Sequence, residues 1–250
     1  MSSFNFDSTA IHFNKTYPMT FFETLQQRGW AVAHGVALKA NNMPLIALGQ
    51  QLGRTSRQGT RQGAPNLEND GVNRVENMDT PIRDAVGNAV LSSNADEFPL
   101  HTDDSYSPEP ARYVLMHCWQ ADAAGGGISW VAHVDRMLAL AAPDLIQRLS
   151  TEKYTTPYGA ASVLWRDAQQ RWCIRFNRRD MIGFAKLRFQ TMSEQKKSDL
   201  EALEQLAMQC VEHVTLHAGD CIVVDNHRVL HGRNAFDPRS GRLIKRLRIH

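Results

Sequence analysis

Two short stretches hold residues of the right type and spacing for metal chemistry. Leu100-His101-Thr102-Asp103-Asp104 sets an imidazole and a carboxylate two residues apart. If the chain is extended from residue 100, alternate side chains share a face, so His101 and Asp103 point the same way. Such a pair can take two adjacent positions on a metal ion. One further imidazole completes a facial set of two histidines and one carboxylate, the donor set of non-haem Fe(II) sites, which leaves positions open for reactants. The second stretch, Asp225-Asn226-His227-Arg228-Val229-Leu230-His231-Gly232-Arg233, offers His227 and His231. His-x-Asp alone occurs by chance in many chains, so the motif needs support from elsewhere in the sequence.

The C-terminal residues bear on that support. Along 242–249, Arg242, Ile244, Arg246 and Arg248 share one face, while Leu243, Lys245, Leu247 and Ile249 share the other. If the aliphatic face packs against helices or a neighbouring sheet, three arginines turn inward. Unpaired guanidinium groups are costly there, so anions must meet them. The arginine fork suits carboxylates and similar oxyanions. If the segment is instead an edge strand, the arginines lie in water.

The elements that must position these groups are mostly short strands. Residues 20–30 pattern as an amphipathic helix ended by Gly29, followed by a strand over 30–36. A second helix covers 43–52. Strands are expected over 72–78, 89–93, 99–106, 112–120, 128–132, 221–225 and 242–249, with a hairpin over 163–177. Residues 135–149 and 193–212 pattern as helices, with Ser193 as an N-cap. Between 54 and 71 large apolar residues nearly vanish, and the near-repeat Arg57-Gln58-Gly59, Arg61-Gln62-Gly63 appears. That stretch reads as a solvated loop or as a lid that orders over bound substrate. The fold class expected is mainly β with flanking helices, as an antiparallel barrel or double-sheet jelly roll in one domain.

Composition excludes several classes. The 250 residues are 42% hydrophobic and 22% charged, with a net charge of +2. No charge excess points to nucleic acid, and no apolar run approaches a membrane span. The opening Met-Ser-Ser-Phe-Asn-Phe-Asp has no basic start and no apolar core, so no secretory signal is expected. Cys118, Cys173, Cys210 and Cys221 form no Cys-x-x-Cys and read as reduced thiols of a cytoplasmic protein. No Gly-x-Ser-x-Gly elbow is present, and the Gly125-Gly126-Gly127 turn lacks the Lys-Ser/Thr of a phosphate loop.

Taken in order, His101-Thr102-Asp103, Gly125-Gly126-Gly127-Ile128-Ser129 and the block from Gly219-Asp220 to Arg248 resemble the Fe(II)/2-oxoglutarate-dependent dioxygenases of the taurine dioxygenase and clavaminate synthase-like superfamily. The resemblance covers the last three-fifths of the chain well and the N-terminal third in outline. It implies a double-stranded β-helix (jelly-roll) core. It implies that His101, Asp103 and His231 ligate the iron, which favours His231 over His227. Arg242, eleven residues after His231, matches the arginine that binds the far carboxylate of 2-oxoglutarate. Ser129 stands where the family usually has Thr and keeps the hydroxyl that helps hold the cosubstrate. Arg246 matches a substrate-contacting position, with Arg248 beside it. Asp104 and Glu76 are candidates to meet a cationic group.

The implied reaction uses Fe(II), 2-oxoglutarate and O2 to hydroxylate an unactivated C–H of a small polar molecule. Retention of Asp103 argues against halogenation. An anion site plus an acid favours a free amino acid; a small sulfonate, phosphonate or other carboxylate is the alternative. A non-catalytic jelly-roll protein that binds a metal or small molecule is the reading from another class. No nucleic-acid or membrane partner is expected, and a homo-oligomer is left open.

Overall fold

Alternating and continuous apolar runs assemble into two antiparallel sheets. The computed structural model describes residues 19–55, 65–84, 87 and 89–250. Residues 56–64, which hold the near-repeat of the polar stretch, lie outside the described residues. One sheet has five strands in the order β1 (Trp30–Ala33), β11 (Cys221–Asp225), β4 (Tyr113–Gln120), β13 (Leu243–Ile249) and β2 (Asn73–Glu76). The other has four, in the order β10 (Glu212–Val214), β5 (Ser129–His133), β12 (Val229–Arg233) and β3 (Phe98–His101). Two hairpins, β6 (Tyr154–Thr156) with β7 (Gly159–Ala161) and β8 (Leu164–Arg166) with β9 (Trp172–Ile174), lie apart from them. Six helices complete the described residues: α1 (Met19–Arg28), α2 (Met43–Gln50), α3 (Val134–Leu140), α4 (Pro143–Thr151), α5 (Arg178–Leu187) and α6 (Glu194–Gln209).

Burial follows these layers. Val75, Cys118, Ile222, Val224 and Ile244 of the first sheet pack with Val131 and Val229 of the second, forming the interior between them. Phe21, Leu25, Leu45 and Leu48 of α1 and α2 cover the other side of the five-stranded sheet, against Leu115, Val223, Leu247 and Ile249. The other helices bury Met137, Leu149, Met181, Leu200 and Leu203 against Trp130, Ala132 and Leu230. Strand β11, buried at every residue, therefore reads as an apolar run rather than an alternation.

These contacts decide the orientation of β13. Leu247 and Ile249 belong to the helix-side core, so Ile244, Arg246 and Arg248 face the interior. Lys245, on the helix side, is 5% exposed. Its Nζ donates to Asn42 Oδ1 at 2.8 Å, pairs with Glu68 at 3.0 Å, and sits 4.0 Å from the Trp119 ring centroid.

Several elements differ from expectation for local reasons. Residues 89–93 hold a single 3-10 turn, Leu91–Ser93, instead of a strand. The Ser93 hydroxyl accepts from Ile82 N and donates to Val90 O, competing with a ladder. The helix expected over 135–149 is two, because Pro143 has no N–H to continue the first and starts the second. Helix α5 was not anticipated; its Asn177 cap accepts from Asp180 N at 3.1 Å. Gly29 ends α1 in a left-handed conformation, φ +75°, and Ser193 caps α6 by accepting from Lys196 N. Among the described residues no helix is long and apolar enough to cross a membrane.

Leu247 is fully buried at the helix-side face of β13. Leu247→Ala should destabilise the fold by about 2–5 kcal/mol, read as a shift in the urea midpoint at unchanged slope. A loss below about 0.5 kcal/mol, the range of ordinary surface substitutions, would place the aliphatic face of β13 in solvent.

Candidate metal and cosubstrate site

Strand pairing brings the two key histidines together. β3 and β12 are neighbours, and His101 lies opposite His231 in their register. Their ring centroids are 4.5 Å apart.

Asp103 joins them by a route other than strand alternation. β3 stops at His101, and Asp104 takes a left-handed φ of +53°. The chain is not extended through the motif, so the shared-face argument is corrected to a turn. That turn is pinned by Asn226, which is fully buried. The Asn226 side chain accepts from Asp103 N at 2.8 Å and donates to Asp103 O at 3.1 Å and Ala111 O at 2.9 Å. Thr102 is held on Phe176, its N–H donating to Phe176 O at 2.7 Å. With the backbone fixed on both sides, Asp103 Oδ1 lies 3.3 Å from His101 Nε2 and 3.6 Å from His231 Nε2. One ligand atom from each of the three residues falls within 4.8 Å of the others, and all three residues are buried.

The protonation states suit a cation. His101 Nδ1 is 2.9 Å from Pro99 O, which fixes Nδ1 as the donor and leaves the Nε2 lone pair toward Asp103. Burial, then the charge of His101, push His231 down to about 4, so its imidazole is neutral at pH 7. Both His231 ring nitrogens are buried without a hydrogen-bond partner, a cost that a coordinated ion would remove. Burial pushes the Asp103 carboxyl up. The Arg246 and Arg248 charges, then the nearby His101 and His231 rings, outweigh it and hold the group well below the usual carboxylate range. Two imidazoles and an ionised carboxylate converging on one point fit a divalent metal.

The three arginines of the C-terminal strand have different partners. Arg246 Nη1 donates to Asp103 Oδ1 at 3.1 Å. Arg248 Nε donates to Asp103 Oδ2 at 2.9 Å and lies 3.1 Å from Asp104 Oδ2, while its Nη1 donates to Asn73 Oδ1. Burial pushes the Asp104 carboxyl up, and Arg248 opposes that rise. Arg242 Nη2 donates to Gly127 O at 3.1 Å, but its buried Nη1 has no partner. A Cβ on Gly127 would overlap that guanidinium. Glycine is thus required there for close approach.

A cavity lies beside these groups. His101, His231, Ser129, Arg242, Arg246 and Arg233 line it, with Val75, Phe98, Met116, Leu216 and Ile244 between. Of the residues singled out from the sequence, Arg248 and Asp104 meet at Asp103 and are not part of that lining. Glu76 is separated from the group. It pairs with Arg74 at 2.9 Å, on the face of β2 opposite to Val75, which lines the cavity. The sequence reading of Glu76 as a pocket residue is corrected on that ground. His227 is half-buried in its turn, with Nε2 2.9 Å from Pro110 O. His117 is buried against Val36 O, and His133 caps α3. Arg233 braces backbone, donating to the carbonyls of Leu91, Asn94, Asp96 and Asn234.

Two residues near the site had escaped notice. Asn226 gave a weak signal, an amide directly after a wholly apolar run. Asp180, in the first turn of α5, is pushed up to about 6 by burial, with the charge of His101 opposing the rise. Nothing in its local sequence marks it.

Two facing antiparallel sheets carry a buried pair of histidines and a carboxylate, a donor set able to hold a metal ion, beside an arginine-bearing cavity. The chain belongs to the family described as Taurine catabolism dioxygenase TauD, TfdA, which it matches over residues 19–248. That family is one of dioxygenases. Among solved structures it is similar to an asparagine oxygenase, with a TM-score of 0.70, 17% identity, and 92% of this chain and 76% of that one covered. OrfP, a non-haem iron oxygenase solved with Fe and α-ketoglutaric acid, gives 0.65 at 16% identity, covering 92% and 77%. PvcB from Pseudomonas aeruginosa gives 0.62 at 20%, covering 92% and 78%. No curated protein matches the sequence.

Asn226→Ala should leave two backbone carbonyls and one N–H unpaired, at about 1–3 kcal/mol each. It should also release the Asp103 turn. The expected result is at least about a 10-fold weaker metal affinity, in the range seen for outer-shell partners, measured by Zn(II) or Co(II) titration of the folded fraction. Unchanged metal affinity would show that the turn holds Asp103 without Asn226.

Proposed function

We propose that His101, Asp103 and His231 hold Fe(II), and that Arg242 and Ser129 hold 2-oxoglutarate, in a single jelly-roll domain that hydroxylates a free amino acid. The observation that carries this is the unpartnered Arg242 Nη1 in the same cavity as His101 and His231, two of the three residues whose ligand atoms converge. When bound, Fe(II) with 2-oxoglutarate and O2 supplies the oxidising power that hydroxylates an unactivated C–H. The protein supplies position and shelter. Arg242 fixes the far carboxylate through a charge-assisted pair. Val75, Phe98, Met116 and Ile244 keep water from the space between that arginine and the imidazoles. Arg248, held by Asn73 and Asp104, keeps Asp103 Oδ2 occupied and so turns Oδ1 toward the histidines.

The substrate class rests on two supports. A structure of asparagine oxygenase holds hydroxyasparagine and succinate, and one of OrfP holds succinate and a dihydroxyarginine. In this chain Arg246 lines the cavity and has an unpartnered Nε. Its Nη1 rests on the Asp103 oxygen that faces the imidazoles, so a ligand drawing on that oxygen frees Arg246 to meet a substrate carboxylate. Asp104, whose carboxyl burial pushes up, is the nearby acid for an amine.

The decisive experiment is a screen of free amino acids and small sulfonates for substrate-triggered succinate formation. Free amino acids should be the active set, and their amides or esters poor. A best substrate without an anionic group would remove the Arg246 assignment. His101→Ala, Asp103→Ala and His231→Ala should each abolish turnover with the fold retained. Near-normal turnover in His231→Ala with loss in His227→Ala would mean that the distal ligand is misassigned. Arg242→Ala should raise the apparent KM for 2-oxoglutarate by about 30- to 1000-fold, equivalent to about 2–4 kcal/mol. The KM for the amino acid should move far less.

A further inference from the structure

The side of Arg242 away from the cavity is built from two loop segments clipped together. Asp122, 7% exposed, accepts from Ala124 N at 2.9 Å, Gly126 N at 3.2 Å and Asp237 N at 3.1 Å. Gly127 N donates to Ala235 O at 3.1 Å. The glycine turn and residues 235–237 are thereby tied together beside Arg242. From the second segment the Phe236 ring, 7% exposed, lies 5.0 Å from the Arg242 guanidinium carbon. The same ring lies 4.7 Å from the guanidinium carbon of Arg233.

This is an unusual charge problem. Arg233 and Arg242 are both buried, and among the described residues neither forms an ion pair. Burial, then the charge of Arg242, push Arg233 down to about 9. Arg233 is committed to four backbone carbonyls and cannot move. Arg242 has a single hydrogen bond from its guanidinium, to Gly127 O. The Asp122 charge attracts Arg242 without a hydrogen bond to it, so one carbonyl alone sets the direction of its fork. An aromatic face offers both cations negative potential without adding a charge that would compete with an anionic ligand. An Asp or Glu in the same place would neutralise Arg242 before a carboxylate reached it.

We propose that Phe236 is a positioning residue for Arg242, holding the guanidinium against Gly127 with Nη1 directed into the cavity for the far carboxylate of 2-oxoglutarate. The proposal rests on the reading of Arg242 as the cosubstrate arginine. It predicts a defect in cosubstrate binding that is separate from metal binding. The variants are Phe236→Leu, which keeps an apolar side chain and removes the π face, and Phe236→Tyr, which restores the face. 2-Oxoglutarate binding to Zn(II)-loaded protein is measured by calorimetry, with no turnover needed. Phe236→Leu should weaken 2-oxoglutarate binding by about 3- to 30-fold, the range of cation–π contributions. Zn(II) affinity and Tm should stay near wild type, and Phe236→Tyr should bind 2-oxoglutarate like wild type.

Equal binding by Phe236→Leu and wild type overturns the proposal. So does equal damage in Phe236→Leu and Phe236→Tyr, or a parallel fall in Zn(II) affinity. Arg242→Gln separates the two levels. If it leaves 2-oxoglutarate binding unchanged, the cosubstrate reading itself fails. If it weakens binding and Phe236→Leu does not, only the positioning role fails. The unmodified protein gives an answer that does not depend on a variant folding. The Arg242 Nε–H proton, assigned by its loss in Arg242→Gln, should show an upfield ring-current shift in the absence of 2-oxoglutarate. A random-coil position would show that the ring does not hold the guanidinium.

Discussion

A carboxylate kept ionised in the protein interior is the constraint on which the site is built. Asp103 is 4% exposed, and burial of such a group without partners would drive it to the neutral form. Two guanidinium groups from β13 prevent that, and the two adjacent imidazoles add to their effect. Asp103 and the arginine strand are therefore one electrostatic unit, although Arg246 and Arg248 lie 143 and 145 residues from it. Each depends on the other. Without Asp103, Arg246 and Arg248 would be buried cations lacking their main counter-charge. Without the arginines, Asp103 would bind a proton in competition with a metal.

That unit needs β13 in one register, and the helix side of the strand supplies it. Leu247 and Ile249 lock into the core under α1 and α2. Lys245 reaches Asn42 and Glu68, so a buried ammonium ties the strand to the start of α2 and to the segment before β2. A shift of one residue would send Arg246 into the apolar layer and Lys245 toward the metal cluster. Both outcomes bury a charge without its partner, so the register has strong electrostatic as well as hydrophobic support.

Much of this was legible in the chain. The alternation over 242–249 separates the two faces of β13 correctly, and contacts of Leu247 with the helices decide which face is inward. Residue type and spacing marked His101 and Asp103 and left His227 and His231 both open, and the family resemblance favoured His231. The strength of the positive charge was misjudged. Counting Arg242, Arg246 and Arg248 as three sites in need of external anions ignores Asp103 and Asp104, which reach Arg248 only after a turn that propensity does not announce. Helix α5 escaped because its stop and start depend on the Asn177 cap and on packing of Met181 and Ala185. Glu76 was misplaced because a four-residue strand gives too little alternation to fix its face.

The turn at Asp104 shows why local rules fail at such a place. An L-residue at φ +53° is held against its own preference, at a cost of order 1–3 kcal/mol. Asp and Asn tolerate this region better than most residues. The cost is offset by bonds that exist only in the folded state: Asn226 on both backbone groups of Asp103, and Arg248 on the carboxylates of both Asp103 and Asp104. An extended Thr102-Asp103-Asp104 would satisfy local preference and continue β3 along β12. It would also carry the Asp103 backbone off Asn226. The bent turn instead leaves Asp103 Oδ1 nearest the two imidazoles and Oδ2 on Arg248. Strain at one residue thus divides the neighbouring carboxylate into an oxygen for a cation and an oxygen for the scaffold.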